Sequence, residues 1–218
     1  MNESKLRILF IGNSATYVHE IPETLARLAN EKGYNVETES ITRGGYMLSQ
    51  YSDEKGVFDT IKKGFDIVVL QDNGNCVSSP EMRMKCKSAC KSLIKFAKES
   101  GAKVYIYVRP PYGYSSFGLT PLEQCAEFDK LFGEISEKEG AENIYVNRAF
   151  AEAIKTTTLK LWGPDNAHTS EQGAYLAVCT FFSTIFKTSS SVLDHNSLEP
   201  SDAVLIQGIS NKISLMGE

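Results

Sequence analysis

The chain has 218 residues, of which 42% are hydrophobic and 23% are charged. This ordinary globular balance provides enough apolar mass for one sizeable core, so we expect a single domain over residues 1–218. The formal net charge of -4 argues against a nucleic-acid partner, because proteins that bind phosphate backbones usually carry a basic face.

No segment of the sequence resembles a targeting signal or a membrane span. Residues 1–7 lack the long apolar run and the small-residue cleavage site of a signal peptide, and no later stretch is apolar enough to cross a bilayer. The five cysteines are odd in number and irregularly spaced, which favours reduced thiols over a disulfide framework. We therefore expect a cytoplasmic protein without a membrane partner.

Two of the cysteines, Cys86 and Cys90, would share one face of a helix. We expect them to pack in or near the core. No second pair of Cys or His residues accompanies them at the spacing of a zinc site, so the sequence predicts no metal.

Along the chain, short apolar runs of β type alternate with segments of helical periodicity. The apolar runs predict five strands, at residues 7–11, 36–41, 66–70, 103–108 and 143–146. The helical segments predict helices at residues 21–32, 81–100, 121–139, 171–186 and 201–212, with Pro80 and Pro121 near two helix starts. The polar residues 187–200 are predicted to form a loop.

Strand followed by helix, repeated along the chain, implies parallel strands whose connecting helices cover both faces of one sheet. The pattern therefore predicts a three-layer α/β/α sandwich of the flavodoxin-like type, with a five-stranded parallel sheet. In such open sheets, ligands bind at loops near the carboxyl ends of the strands. The residues that follow each predicted strand are therefore candidates for a functional site.

Asp165 and His168 lie three residues apart near the carboxyl end of the chain. A histidine acts as a general base on a hydroxyl when a nearby buried carboxylate holds its second nitrogen in the right tautomer. The alternative is an aspartate turn and a surface histidine, before a helix capped by Thr169 or Ser170. The pair is a candidate general base with its orienting carboxylate.

A candidate nucleophile lies near the amino end, where the first predicted strand runs into Gly12, Asn13 and Ser14. Glycine permits a tight turn, and a serine that enters a helix can present its hydroxyl beside N–H groups that point at an anion. The alternative is that Ser14 is a plain helix N-cap. Combined with the Asp/His pair at the other end of the chain, Ser14 suggests a serine hydrolase.

The other two histidines are weaker candidates. His19 lies a few residues after Ser14 and could line the same pocket, but its close acidic neighbour, Glu20, would point elsewhere. His195 follows Asp194 directly, a spacing that does not aim the two side chains at each other. We expect both histidines to lie on the solvated surface.

Two further loops carry residues that suit either a turn or a binding site. Gly44 and Gly45 follow the second predicted strand, where a backbone N–H could approach a substrate oxygen. Asn73, Gly74 and Asn75 follow the third predicted strand and contain the Asn-Gly turn signal. Taken one at a time, both loops are typical of ordinary turns.

In chain order, these loop motifs resemble those of the SGNH, or GDSL-like, hydrolase superfamily, which is named for its Ser, Gly, Asn and His. The matching residues are Ser14, Gly45, Asn75, Asp165 and His168. The resemblance covers nearly the whole chain. It implies a flavodoxin-like sandwich that hydrolyses esters without a metal or an organic cofactor.

The resemblance also implies a role for each matching residue. Ser14 would be the nucleophile, His168 the general base and Asp165 the residue that orients it. The oxyanion hole would consist of the backbone N–H groups of Ser14 and Gly45 and the side-chain amide of Asn75.

The sequence departs from the superfamily pattern in two places. Asn13 stands where the usual Gly-Asp-Ser motif has Asp, and we expect this change to alter hydrogen bonding in the loop rather than the chemistry. The usual Gly-x-Asn-Asp motif appears as Asn-Gly-Asn-Cys. Counting along the third strand favours Asn75 as the oxyanion asparagine, with Asn73 as the alternative, and Gly44 is likewise an alternative to Gly45.

Aromatic residues and prolines are concentrated in the loop at residues 109–117, and Trp162 precedes Asp165 closely. These side chains could stack against a sugar ring, wall a small acyl pocket, or pack at a loop rim. The superfamily includes acetylesterases on carbohydrates, lipases, thioesterases and arylesterases. We expect a small-molecule ester with a short acyl group, with an acetylated sugar as one candidate. The sequence does not indicate an oligomeric state.

Two alternative functions follow from the same residues. A flavodoxin-like protein could bind a phosphate or a nucleotide with the hydroxyl-rich loop after the first strand. Tyr17, Val18 and His19, however, supply neither the glycine nor the further Ser or Thr hydroxyls of such a loop, and no P-loop lysine motif is present. A catalytically inactive SGNH relative could serve as a binding module. The intact Ser14, His168 and Asp165 argue against the second alternative.

Overall fold

The computed structural model describes residues 5–216, and its centre is one β-sheet. The strands are β1 (Leu6–Gly12), β2 (Val36–Thr42), β3 (Ile67–Leu70), β4 (Lys103–Tyr107) and β5 (Glu142–Ile144). Every neighbouring pair is parallel, and the strand order is β2-β1-β3-β4-β5. The predicted five-stranded parallel sheet is confirmed.

Helices connect the strands, and further helices come after the last strand along the chain. Within the described residues they are α1 (Ser14–Tyr17), α2 (Ile21–Glu31), α3 (Leu48–Tyr51), α4 (Lys55–Ile61), α5 (Pro80–Glu99), α6 (Pro121–Glu139), α7 (Val146–Thr156), α8 (Glu171–Phe186) and α9 (Pro200–Leu215). Short 3-10 helices lie at Gly74–Val77 and Ser190–Val192, the second of them inside the predicted loop. The five predicted helices correspond to α2, α5, α6, α8 and α9.

The fifth strand was predicted to continue further along the chain than it does. That strand was expected to reach residue 146, but it ends at Ile144 and α7 begins at Val146. Val146, Ala149, Phe150 and Ala153 are buried at helical spacing, so one face of α7 packs into the core immediately after the strand. The short helices α1, α3 and α4 were also not predicted.

Alternating residues of each strand point to opposite faces of the sheet, and both faces of the three central strands are largely buried. In β1, Ile8 and Phe10 pack with α2, α7, α8 and α9, whereas Leu9 and Ile11 pack with α3, α4, α5 and α6. Burying one such side chain contributes about 1.5 to 3 kcal/mol to folding. The helices therefore form one layer on each side, as predicted for a three-layer α/β/α sandwich.

All five cysteines are buried and unpaired. Cys86 and Cys90 lie on the core-facing side of α5, with their sulfur atoms 4.0 Å apart. The predicted packing of these two thiols is confirmed.

Among residues 5–216, no helix has both the length and the apolar character needed to cross a membrane. The expectation drawn from the first seven residues falls mostly outside the described range, because residues 1–4 are not described.

Candidate active site

The exit of β1 positions Ser14. Asn13 is the N-cap of α1, and its side-chain oxygen accepts a hydrogen bond of 3.1 Å from the Ala15 N–H. Its side-chain nitrogen donates to the Tyr46 carbonyl at 2.8 Å, a bond that the aspartate of the usual motif could not make. Because Asn13 caps the helix, the Ser14 hydroxyl is not used as a cap.

Gly12 is required by close packing. A methyl group on Gly12 would lie 2.5 Å from the Thr16 hydroxyl oxygen and 2.6 Å from Gln71 Oε1. Its φ is not positive, unlike that of Gly45. Space, rather than an unusual turn, therefore explains the glycine before Asn13 and Ser14.

Gln71 links the end of β3 to the loop that carries Ser14. Gln71 Oε1 accepts hydrogen bonds from the Asn13 N–H at 2.8 Å and from the Thr16 hydroxyl at 2.9 Å. Its side-chain nitrogen donates to the Asp72 carbonyl, so the amide is satisfied although it is fully buried. No motif in the sequence marks Gln71 as part of the site.

Asp72 and Asn73 link the end of β3 to the loop after β2. Asp72 Oδ1 accepts hydrogen bonds from the Leu48 N–H at 2.9 Å and from the Asn73 N–H at 2.8 Å. The Asn73 side-chain nitrogen donates to the Gly45 carbonyl at 3.0 Å. Burial raises the pKa of the Asp72 carboxyl, and the Cys86 thiol and these two N–H groups oppose the rise.

Ser14, His168 and Asp165 form a continuous hydrogen-bonded line. Ser14 Oγ lies 2.9 Å from His168 Nε2, and His168 Nδ1 lies 2.6 Å from Asp165 Oδ2. The His168 N–H, the His168 ring and the Ala167 N–H all donate to Asp165 and hold the pKa of its carboxyl well below the usual range. An ionised Asp165 can only accept, so Nδ1 carries the proton and Nε2 is free to accept from the Ser14 hydroxyl.

Asp165 forms an aspartate turn, the alternative drawn from the sequence, and contacts the histidine at the same time. Its Oδ1 accepts from the Ala167 and His168 N–H groups at 2.9 and 3.0 Å, while Oδ2 contacts the ring. Its side chain is 52% exposed, in contrast to the buried carboxylate assumed from the sequence. Ser170, rather than Thr169, caps α8.

A cavity of about 330 Å³ opens beside Ser14 and His168. Its remaining lining residues are Asn13, Ala15, Gly45, Asn73, Arg109, Tyr112, Tyr114 and Ala167. Of the two candidate asparagines, Asn73 lines the cavity, whereas Asn75 is exposed in the 3-10 helix that follows. Gly45 lines it and Gly44 does not.

Two backbone donors at the cavity have no partner in the described chain. Neither the Ser14 N–H nor the Gly45 N–H donates to an acceptor among residues 5–216. Gly45 has a φ of 73°, a conformation that glycine adopts readily. These N–H groups are therefore available to a bound oxygen atom.

The other two histidines do not line this cavity. His19 is exposed, as expected, and its Nε2 lies 2.9 Å from the Thr169 carbonyl oxygen. This contact joins the segment after α1 to the residue that follows His168. His195 is half-buried in the loop before α9.

The aromatic loop after β4 packs against the loop that carries His168. The Gly113 N–H donates to the Asn166 carbonyl at 2.7 Å, and Trp162 Nε1 donates to the Pro111 carbonyl at 2.9 Å. Tyr112 and Tyr114 line the cavity with their rings stacked 5.3 Å apart, but Trp162 is not among the lining residues.

A second, larger cavity in the described chain does not carry a comparable set of catalytic side chains. A larger cavity of about 420 Å³ lies between α5 and α6, but lysines and glutamates dominate its lining and no histidine or cysteine is present. Residues 5–216 contain no group of three His, Cys, Asp or Glu side chains arranged to hold a metal ion.

Solved structures of other proteins share this architecture. A proposed SGNH hydrolase from Slackia heliotrinireducens superposes with a TM-score of 0.69 at 23% identity, over 82% of this chain and 97% of that one. The acetylxylan esterase Axe2 from Geobacillus stearothermophilus gives a TM-score of 0.64 at 17% identity, over 81% and 92%. The chain has the SGNH-hydrolase fold.

A third solved structure is similar to the chain over nearly its whole length. A DUF4886 family protein from Bacteroides uniformis matches with a TM-score of 0.83 at 14% identity, over 99% of this chain and 97% of that one. Neither a family model nor a curated protein matches the sequence. At these identities the likeness establishes the fold, and function has to be argued from the site.

Proposed function

We propose that this chain is a serine hydrolase that cleaves a carboxylic ester with a short acyl group. The observation that carries the proposal is the line from Ser14 Oγ through His168 to Asp165, with contacts of 2.9 and 2.6 Å. Nucleophile, general base and orienting group are each within hydrogen-bond reach of the next. The SGNH-hydrolase fold, with an acetylxylan esterase among its neighbours, supports the same reaction class.

In the first half of the reaction, Ser14 Oγ attacks the ester carbonyl carbon while His168 Nε2 takes the hydroxyl proton. The carbonyl oxygen becomes an oxyanion. When the tetrahedral intermediate collapses, the bond to the alcohol oxygen breaks and His168 returns the proton to that oxygen. The alcohol leaves, and the acyl group remains on Ser14.

In the second half, water repeats these steps. His168 accepts a proton from water as its oxygen attacks the acyl carbon, and the proton then passes to Ser14 Oγ as the carboxylic acid leaves. Asp165 remains ionised throughout and stabilises the imidazolium. The chain's own residues supply every proton transfer.

We propose three donors for the oxyanion. The N–H groups of Ser14 and Gly45 have no other acceptor among residues 5–216 and lie at the cavity. The third donor is the Asn73 side chain, which lines the cavity, in place of Asn75, which the sequence favoured. Only one of its two N–H bonds is used by the Gly45 carbonyl, which leaves the other free to donate.

The size of the site supports a small substrate. A volume of about 330 Å³ is near the lower end of ligand pockets, and the stacked rings of Tyr112 and Tyr114 form one wall. We therefore propose a short acyl group, acetyl in the simplest case. The alternative of phosphate binding gains no support, because α1 has only four residues and Asn13 already uses the Ala15 N–H.

Hydrolysis of 4-nitrophenyl esters of increasing chain length tests the proposal. We expect the purified protein to favour acetate or propionate, and Ser14→Ala and His168→Ala each to remove most of the activity. His195→Ala, which changes a histidine outside the cavity, is the matched control and should retain it.

A fluorophosphonate probe provides a second readout that does not depend on the correct ester. The probe should form one adduct on Ser14 in the parent and none in Ser14→Ala, seen as a mass shift of the intact protein. Equal ester hydrolysis in the parent and Ser14→Ala, together with no adduct, would rule out a serine hydrolase.

A further inference from the structure

Arg109 is a buried cation in the wall of the candidate active site. It follows β4, its residue is only 4% exposed, and it lines the same cavity as Ser14 and His168. The proposed ester hydrolysis does not use it. A charged side chain is rarely buried to this extent without a partner of opposite charge.

Arg109 differs from every other arginine in the described chain because it has no acceptor. Arg27, Arg43, Arg83 and Arg148 each pair with a carboxylate, and Arg7 donates to two backbone carbonyls. No carboxylate of residues 5–216 pairs with the Arg109 guanidinium, and its buried Nε has no hydrogen-bond partner.

Two neighbours hold the guanidinium in place. Its central carbon lies 4.2 Å from the centre of the Tyr112 ring, within range of a cation–π contact. A methyl group on Gly74 would lie 2.4 Å from Arg109 Nη1, so the side chain packs directly against the backbone there. Packing fixes the position of the charge, but the tyrosine face offsets only part of the cost of burying it.

We propose that Arg109 binds a carboxylate of the substrate, so that the natural substrate is an ester that also carries a carboxylate group. The inference rests on the proposed function for the reactive ester. The planar fork of an arginine matches a carboxylate through two parallel hydrogen bonds. A bound carboxylate would supply both the missing charge and the missing acceptors.

The charges around the cavity favour a single negative charge on this group. The ionised Asp165 lies behind His168, and an oxyanion forms beside Ser14 during the reaction. A second negative charge, as on a phosphate monoester, would exceed the single positive charge of Arg109 and meet this repulsion. A carboxylate is therefore the better fit.

Matched ester pairs test the proposal. One pair is 4-acetoxybenzoate and its methyl ester, with the charge on the leaving alcohol; the other is phenyl hydrogen adipate and methyl phenyl adipate, with the charge on the acyl group. Each kcat/KM is divided by the spontaneous hydrolysis rate of the same ester. We expect the charged member of at least one pair to be preferred by about 10- to 100-fold, the range of a hydrogen bond to a charged group.

Variants of Arg109 identify the source of the preference. In Arg109→Met the ratio of charged to neutral ester should fall to near one, and Arg109→Lys should keep part of it. Arg148→Met is the matched control, because Arg148 also stacks on a tyrosine, with 3.6 Å from its central carbon to the Tyr145 ring, but pairs with Asp129. Its ratio should equal that of the parent.

Two outcomes would overturn the proposal. One is the absence of a preference for the charged member in both pairs, and the other is a preference that survives in Arg109→Met. Hydrolysis of the neutral esters that is lost in Ser14→Ala would show that the proposed function stands even when the proposal about Arg109 fails.

Calorimetric titration decides the question if no ester is hydrolysed or if Arg109→Met does not fold. Benzoate and its neutral counterpart benzamide are titrated into the parent protein and, where it folds, into Arg109→Met. Tighter binding of benzoate by about 10-fold or more, lost in the variant, supports the carboxylate site. Equal binding of the two compounds by the parent protein overturns it.

Discussion

Gln71 accepts a 2.8 Å hydrogen bond from the backbone N–H of Asn13, across the two adjacent strands β3 and β1. Asn13 directly precedes Ser14, so a side chain on one strand fixes the loop that carries the proposed nucleophile on the next. The Gln71 oxygen also accepts from the hydroxyl of Thr16 in α1, the helix that begins at Ser14. Gln71 is therefore a positioning residue that does not itself touch the cavity.

Gln71→Met removes this acceptor at nearly constant volume. Each buried donor left unpaired, the Asn13 N–H and the Thr16 hydroxyl, should cost roughly 1 to 3 kcal/mol of stability. We also expect kcat to fall with little change in KM. Gln207→Met is the control. Gln207 is similarly buried and donates to the Tyr175 hydroxyl at 2.8 Å, but it does not line the cavity. Equal kcat in the two variants would contradict this role.

Asp165→Asn should inactivate the protein without disturbing the turn. The asparagine oxygen can still accept from the Ala167 and His168 N–H groups, but its nitrogen would donate to His168 Nδ1. The ring would then carry its proton on Nε2 and could not accept from Ser14. We expect kcat to fall by about 10²- to 10⁴-fold with KM near that of the parent. A fall of less than about threefold would show that Asp165 does not set the tautomer.

Asn73→Ala and Asn75→Ala distinguish the two candidate oxyanion donors. Removing one such donor typically costs about 2.7 to 4 kcal/mol of transition-state stabilisation, or about 10²- to 10³-fold in kcat. We expect this loss in Asn73→Ala and a change below threefold, roughly 0.6 kcal/mol, in Asn75→Ala. Because the Asn73 oxygen also caps the 3-10 helix through the Asn75 N–H, Asn73→Ser, which keeps an acceptor, serves as the control for folding. The reverse ranking of the two alanine variants would restore the assignment made from the sequence.

The contributions of Asp72 and Asp165 to the free energy of unfolding should change in opposite directions with pH. The pKa of Asp165 is lowered in the folded state, so its contribution is present above the unfolded value of about 3.9 and is lost as pH falls through the folded value. The pKa of Asp72 is raised by burial, so its contribution declines as pH rises from about 3.9 through the folded value.

The corresponding asparagine variants measure this difference. Asp165→Asn should be less stable than the parent near neutral pH, and this difference should disappear on acidification. Asp72→Asn should become more stable relative to the parent as pH rises. Urea unfolding at several pH values between about 2 and 8 tests both. Curves that run parallel to the parent at every pH would contradict the two pKa directions.

The thiols should be inert in the folded protein. All five cysteines are buried, and burial raises the pKa of Cys125 and Cys179 to about 12. Because the thiolate is the reactive form, we expect Ellman's reagent to react only after unfolding in guanidinium, and ester hydrolysis to be unaffected by it. Rapid modification of one thiol in the native protein would show an opening of the core near that residue.

The sequence predicted the long elements well because their signals are local. α6 begins at the predicted proline, is capped by Thr120 with Glu123, and ends at Glu139, followed by Gly140 as a C-cap in the left-handed conformation. α1 and α3 have four residues each, too few for a periodic pattern to appear.

The order of the motifs along the chain was enough to predict part of the candidate site. Ser14 and His168 are far apart in sequence and were paired from the chemistry of their motifs and from the family resemblance, and their side chains lie in hydrogen-bond contact. The choice between Asn73 and Asn75 depended on counting along β3, which could not anticipate the 3-10 helix at Gly74–Val77 that leaves Asn75 exposed. The role proposed for Arg109 needs knowledge of its burial and of its missing partner, which only three-dimensional contacts provide.

Two hydrogen bonds, from Gly113 to Asn166 and from Trp162 to Pro111, join the pocket wall to the loop that carries His168. A change that reshapes this wall for another substrate therefore also displaces the general base. We expect substrate scope and turnover to change together in homologues and in directed evolution, and new specificities to require compensating changes on both loops.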